Sequence, residues 1–295
     1  MSGGGRRLNL MNSRGSIKRH MVKLSGKNKV QWGAGEIGGP RHEYRESLIL
    51  GALRNELKRP YSVLDAGCGS GSLLFKIAGY GCRTFGLEQS KEYVETLRKR
   101  IKSIGFIENT NIKHGTVDDI PYPDRSFDVV VSAEVLEHVK DDTRAIMEFY
   151  RVLKPGGTCV ISVPASPELW DITDEWAGHL RRYTRDDLIS LFEKKGFIIN
   201  DVRFWGFPFV RLYHKFLYIP HIKGRISEGR AEEIIRPPDP GRHQLMTGAL
   251  SMVFKFDSLF RWAPFGIGII LKARKPGALI DLKVDVKLGA IGCTS

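Results

Sequence analysis

Cysteine is scarce: Cys68, Cys82, Cys159 and Cys293 are the only four in 295 residues, and they show no paired metal spacing. Long apolar runs are also missing. The longest, from Ala263 to Leu271, is broken by Pro264 and two glycines and falls far short of the ~20 residues that span a bilayer. Acids are absent from the first thirty residues. Those hold Arg6, Arg7, Arg14, Lys18, Arg19, Lys23, Lys27 and Lys29, so +8 of the net +13 sits there and the remainder carries +5. The same stretch lacks an apolar signal core, which excludes a secretory peptide, and it is Gly-rich for an organellar transit peptide. Residues 1–30 are therefore expected as a basic, disordered arm, with contact to anionic lipid or nucleic acid as the functional alternative. Unpaired thiols without a signal point to a reducing, cytoplasmic compartment.

Against these absences stands a globular composition, 42% hydrophobic and 27% charged, enough for one large core with a substantial insertion. The stretch Ser62-Val63-Leu64-Asp65-Ala66-Gly67-Cys68-Gly69-Ser70-Gly71-Ser72 organises the chain. An apolar, β-branched run ends in Asp65, glycines alternate at 67, 69 and 71, and a helical pattern opens with Leu73, Leu74 and Ile77. This is a strand, a tight turn and a helix start, which lets backbone N–H groups approach a ligand closely. A dinucleotide loop would space its glycines as Gly-x-Gly-x-x-Gly/Ala. Asp65 would repel a pyrophosphate, whereas an acid suits a zwitterionic ligand with an amino group.

Strands are expected at Ser62–Ala66, Thr84–Glu88, Asn111–His114, Phe127–Ala133, Thr158–Val163, Phe197–Phe204 and Gly266–Lys275. Helices are expected between them: His42–Leu57, one running to Gly79, Lys91–Ile104, one capped by Asp141 and Asp142, and one opened by Thr184 with Asp187. Strands alternating with helices mean an α/β fold, a doubly wound, mostly parallel sheet. Ligands of such sheets bind beyond the strand carboxyl ends, where Gly67, Glu88, Val117 and Ser132 fall. Glu88 lies 23 residues after Asp65, where a carboxylate can accept both hydroxyls of a ribose.

Five separated motifs arrive in order: Val63–Gly71, Glu88, Gly115–Pro121, Phe127–His138 and Leu153–Gly157. Together they resemble class I S-adenosylmethionine (SAM) methyltransferases, close to the ubiquinone-biosynthesis O-methyltransferase group. The resemblance implies a seven-stranded, Rossmann-like sheet over 61–205, a lid helix in 31–60 and a last strand in 263–276, before a tail at 277–295. It also implies SAM as cofactor, held by Asp65, Gly67, Cys68, Gly69, Gly71, Glu88 and Gln89. Thr116, Val117 and Asp118 would bracket the adenine, with Ser132 and Glu134 beside the methionine part. Glu134, Glu137 and His138, read as one helical face, and His179 before Tyr183-Thr184-Arg185 resemble a divalent-metal site such as Mg of related O-methyltransferases. His138, Glu137 and His179 are accordingly the candidate catalytic residues, with His138 as a plain base if no metal is used.

Between the last two strands, residues 206–262 form an aromatic-rich insertion. Phe209, Leu212, Tyr213, Phe216 and Leu217 recur at helical spacing, and a charged, Pro-rich loop over 223–242 is expected before a second apolar segment, Leu250–Phe260. This is expected to be a helical lid for a hydrophobic small-molecule or lipid-linked acceptor, with peripheral contact to a membrane surface. A metal-dependent RNA 2′-O-methyltransferase is the alternative, but the basic residues lack interleaved stacking aromatics, so nucleic acid is not expected as partner. A SAM-binding interaction protein without turnover is the third reading.

Overall fold

The computed structural model describes residues 39–104, 109–230 and 240–277. The expected arm (1–30), the start of the lid segment (31–38), part of the 223–242 loop (231–239) and the tail from 278 lie outside the described residues.

The chain opens with α1 (Pro40–Ala52), then alternates β1 (Ser62–Ala66), α2 (Ser72–Ala78), β2 (Arg83–Glu88), α3 (Lys91–Ile104), β3 (Thr110–His114), β4 (Phe127–Ala133), α4 (Asp142–Val152) and β5 (Leu153–Pro164). Then come α5 (Ile172–Ala177), α6 (Arg185–Glu193), β6 (Ile198–Trp205), the insertion helices α7 (Phe209–Tyr213), α8 (Ile219–Ser227) and α9 (Pro240–Phe254), and β7 (Gly268–Arg274). A π turn, His214–Tyr218, joins α7 and α8 into one helical run. The sheet order is β3-β2-β1-β4-β5-β7-β6. Six strands run in one direction, and β7 slots antiparallel between β5 and β6. Trp205 pairs with Gly268, so the insertion starts and ends at one point of the sheet.

The core follows the strand pleat, which sends alternate side chains to opposite faces. Val129 and Val131 of β4 face α1 and α2 with Leu53, Leu73 and Ile77, while Val130 joins Ile146, Phe149 and Phe192 on the other face. A register shift between Phe127 and Val129 puts Phe127 on Val130's side, against Phe85 and Tyr122. Burying each such aromatic or branched side chain contributes ~1.5–3 kcal/mol. The strand order reverses between β1 and β4, so a crevice opens beyond their carboxyl ends. Among the described residues no helix is long and apolar enough to cross a membrane.

Candidate functional site

That crevice leads into a cavity of about 750 Å³ running from the glycine loop, under α1, to the insertion. Its volume lies in the upper part of the range for small-molecule sites.

At one end, Gly67 and Cys68 donate backbone N–H bonds to Leu87 O at 2.8 and 3.0 Å, which ties the loop to β2. Gly67 has φ 84°, and a Cβ there would lie 2.5 Å from Val135 Cγ2, so only glycine fits. Glu88 receives Gly69 N on Oε2 (2.9 Å) and Ser90 N on Oε1 (2.8 Å). Each oxygen keeps a second lone pair for a ligand hydroxyl. Asp65 is buried with Oδ2 unpartnered, and burial, then Glu46 and Glu88, push its carboxyl up to about 8. The thiol of Cys68 is raised well above its ordinary value by burial and then by Asp65 and Glu88, so it stays protonated. Gln89, Thr116, Val117 and Asp118 line the same end. The backbone carbonyl of Gln89 meets His114 Nε2 (3.0 Å), and that of Asp118 accepts from Arg144 Nε (2.7 Å).

Two expected residues stand elsewhere. The strand pleat turns Ser132 away from the cavity, and its buried hydroxyl donates to Ala66 O (2.9 Å). Gly71 does not line the cavity; it caps α2, and a Cβ there would lie 2.5 Å from Leu97 Cδ2, so its role is packing.

The expected four-ligand set is also corrected. Glu134 takes a left-handed conformation (φ 55°) and Leu136–His138 form a short 3₁₀ turn, so the three residues do not share one helical face. Glu134 Oε1 accepts from the Ser162 hydroxyl (2.7 Å), and its Oε2 lies 3.6 Å from Arg45 Nη1. Burial opposes its charge, but Arg45 and Ser162 outweigh that and hold Glu134 below the usual carboxylate range. Glu137, His138 and His179 do converge, with ligand atoms within 4.8 Å of one another.

Glu137 is fully buried, and neither oxygen has a hydrogen-bond partner. Burial and then Glu134 raise its carboxyl well above the ordinary value. His179 Nε2 lies 3.9 Å from Glu137 Oε1, and the two imidazole rings meet edge to face at 4.8 Å. Burial and then His179 push His138 down to about 4, against a hydrogen bond to the Gly178 backbone.

His179 is oriented by Asp174, which meets its Nδ1 at 2.8 Å and grips Arg182 Nε and Nη2, each at 2.8 Å. Burial opposes the charge of Asp174, but the bonds from His179 and Arg182 hold it below its ordinary value. An ionised carboxylate only accepts, so His179 donates from Nδ1 to Asp174 and turns Nε2 toward Glu137. Sequence reasoning missed Asp174 and Arg182. The available signal was Asp171-Ile172-Thr173-Asp174, whose two acids form a reciprocal capping box on α5. Leu180 N donates to Glu137 O (2.8 Å), and Tyr183 Oη donates to Leu136 O (3.1 Å), which pins 179–183 to the 3₁₀ turn.

At the far end, Asp171 Oδ2 meets His214 Nε2 (2.9 Å), and His214 Nδ1 meets Arg41 Nη1 (2.8 Å). Arg41 also lies over the Tyr218 ring at 4.7 Å. This chain of contacts fastens α1 to the insertion. On its other side, Lys76 Nζ reaches Glu43 and Glu46 at 2.6 Å. Pro40, Arg41, His42, Arg45 and Glu46 line the cavity, so α1 forms part of its wall.

A glycine loop at the reversal point of a mostly parallel sheet, with an acid ending the next strand, defines an α/β domain of the Rossmann-like, nucleoside-binding class. Residues 64–161 match the family described as "Methyltransferase domain". The chain is 34% identical over 141 residues to a protein named as a probable S-adenosylmethionine-dependent methyltransferase from Mycolicibacterium smegmatis, covering 47% of this chain and 52% of that one. It is 28% identical over 172 residues to the uncharacterized methyltransferase YcgJ of Bacillus subtilis, covering 55% and 67%. Among solved structures, the [4+2]-cyclase SpnF superposes with a TM-score of 0.56 at 23% identity, covering 84% of this chain and 88% of that one, a likeness of fold alone. The chain spans about half the length of the first of these curated relatives. Residues 64–161 are thus similar in sequence to SAM-dependent methyltransferase domains, and they lie within a Rossmann-like α/β fold.

Proposed function

We propose that the protein transfers the methyl group of SAM to a hydroxyl on a hydrophobic or lipid-linked small molecule. One observation carries the reading: a single cavity joins the glycine loop and Glu88, the half-buried His138 and His179, which stand in front of buried Glu137, and the apolar side chains of the insertion.

The residues present fit SAM. Asp65, a buried acid with an unpartnered oxygen, would take the amino group, and Glu88 the ribose hydroxyls. SAM supplies an already activated carbon electrophile, so the chain's work is alignment and removal of the acceptor's proton. His138 is unprotonated near neutral pH and able to receive that proton. The Arg182–Asp174 pair holds His179 still while this happens, and α1 with the insertion covers the cavity against water.

A divalent metal also fits. An orphaned buried carboxyl facing two imidazoles is costly, at ~1–3 kcal/mol for each unsatisfied group, and one carboxylate with two histidines is a common donor set. Glu137, His138 and His179 would hold it, and it would supply a Lewis acid that lowers the pKa of a bound hydroxyl.

The test is transfer from methyl-labelled SAM into a total cell extract, split into organic, RNA and protein fractions, with and without chelator. Label in the organic fraction is expected. Label confined to RNA or protein overturns the acceptor class, and absence of label from all fractions overturns turnover. Chelator sensitivity supports the metal, and indifference leaves His138 as a plain base.

A further inference from the structure

Among the described residues, 11 of the 15 large apolar side chains that are exposed lie between Leu212 and Phe265. Trp262 is 76% exposed, Leu259 68% and Phe216 61%. Seven of them, Leu212, Phe216, Leu217, Phe256, Leu259, Trp262 and Phe265, sit on two strips that are fastened together. Buried Asp257 accepts Phe209 N (2.8 Å) and Val210 N (3.2 Å), which clamps the start of α7 to the turn Lys255–Phe260. The Phe209 and Phe256 rings then meet at 6.5 Å, and Phe207 touches Phe260 and Phe265. Phe209, Leu212 and Phe216 continue the strip at helical spacing. A monomer rarely leaves so much clustered apolar surface without a partner for it.

Charge identifies the partner. Arg211, Lys215, Lys255 and Arg261 stand on the same two strips, whereas Asp257, their one acid, is buried with both oxygens on backbone N–H groups. Lys215 Nζ lies 5.5 Å from the Phe216 ring, an apolar stem beside a ring with a cationic tip. Aromatic and aliphatic tips ringed by cations match the boundary between acyl chains and anionic headgroups.

We propose that this face of the insertion docks the protein on an anionic lipid bilayer, lying on the membrane rather than crossing it. Leu217 and Met246 are both exposed and line the cavity, so its mouth opens beside the docked face, where an acceptor with a long apolar chain would enter directly from the lipid. The docking does not rest on methyl transfer. Vesicle binding is read without methyl donor or acceptor, so the two readings fail or stand separately.

The experiment is co-sedimentation of the full chain with vesicles of phosphatidylglycerol and phosphatidylcholine, or of phosphatidylcholine alone. Binding to the anionic vesicles is expected, at least tenfold tighter than to the neutral ones and weakened by salt. Leu259→Ser with Trp262→Ser should reduce it at least tenfold. Lys215→Glu, Lys255→Glu and Arg261→Glu together should reduce it on the order of 100-fold. All five substituted positions lie outside the buried core, and a thermal melt confirms that each variant folds. Failure of the full chain to bind anionic vesicles overturns the proposal. So does binding that survives both sets of substitutions, which would assign it to charge elsewhere, such as residues 1–30. Sedimentation velocity that shows a dimer lost on Leu259→Ser with Trp262→Ser would instead assign the face to a second copy of this chain.

Discussion

The two halves of the cavity are built by different means. The half proposed for the cofactor stands on strand ends, where the registers of β1 with β2 and of β2 with β3 hold Asp65 and Glu88, and the bond from Gly67 N to Leu87 O holds the loop. The half proposed for the acceptor stands on contacts between side chains, some of them between elements far apart in the chain. Asp174 reaches His179, Asp171 reaches His214, and His214 reaches Arg41, 173 residues away. A sheet register tolerates the loss of one side chain, because backbone bonds maintain it. A side-chain relay has no such reserve, so substitutions in the two halves are expected to separate function from binding.

The sharpest separation is Glu137→Gln. Glutamine copies the shape of the protonated acid, so the fold and SAM affinity are expected to hold within about twofold while turnover falls on the order of 100-fold or more. Turnover kinetics with calorimetry check this, and equal losses in both would erase the division. The converse is Glu88→Ala. Losing two charge-assisted acceptors should weaken SAM roughly tenfold to a hundredfold by calorimetry, and unchanged affinity would remove Glu88 from the cofactor half.

A smaller effect comes from pH. Asp65 keeps its proton in the folded protein up to about 8, whereas the unfolded chain loses it near 3.8. Between these values the folded state binds more protons, so stability falls as pH rises and levels off above about 8. Buried His138 and His214 are depressed and act oppositely, but only below about 6.5, so the window from 6.5 to 8 isolates the raised acids. The ligand-free protein is expected to lose about 1.4 kcal/mol per pH unit there for Asp65, with Glu137 acting in the same direction. Urea titrations at several pH values measure the slope, and Asp65→Asn should make it shallower. SAM binding in that window should release a proton, visible as buffer-dependent binding enthalpy. The smallest effect tests a cap outside both halves. Thr184 Oγ1 accepts Asp187 N at the start of α6, so Thr184→Ala should cost ~1 kcal/mol and lower Tm by a few degrees, with SAM affinity unchanged.

The same division governs how much was legible in the sequence. Four elements, Ser62–Ala66, Phe127–Ala133, Lys91–Ile104 and the helix opened by Thr184, follow from local periodicity and caps, and the structure places them where those signals stand. The glycine loop is equally local, since positive φ and close approach leave a mark on residue choice at once. Glu134 was misplaced because its backbone turns left-handed, which a helical spacing rule does not see. Ser132 was misplaced by one step of the pleat. The Asp174–His179–Arg182 clamp spans only nine residues, yet it went unread because nothing in a run of charges says which carboxylate is buried. The site of β7 within the sheet, and the reach of α1 to His214, depend on tertiary packing and leave no short-range pattern.

The pairing of Trp205 with Gly268 carries a consequence for how such a protein can change. The sheet itself closes the loop from 206 to 267, so the ends meet whatever lies between them. Lengthening a loop whose ends are already joined costs little, because closure entropy grows only with the logarithm of its length. The segment from 206 to 267 is therefore free to vary in length between fixed ends, provided that His214 keeps its hold on Arg41, on which the seat of α1 over the cavity depends.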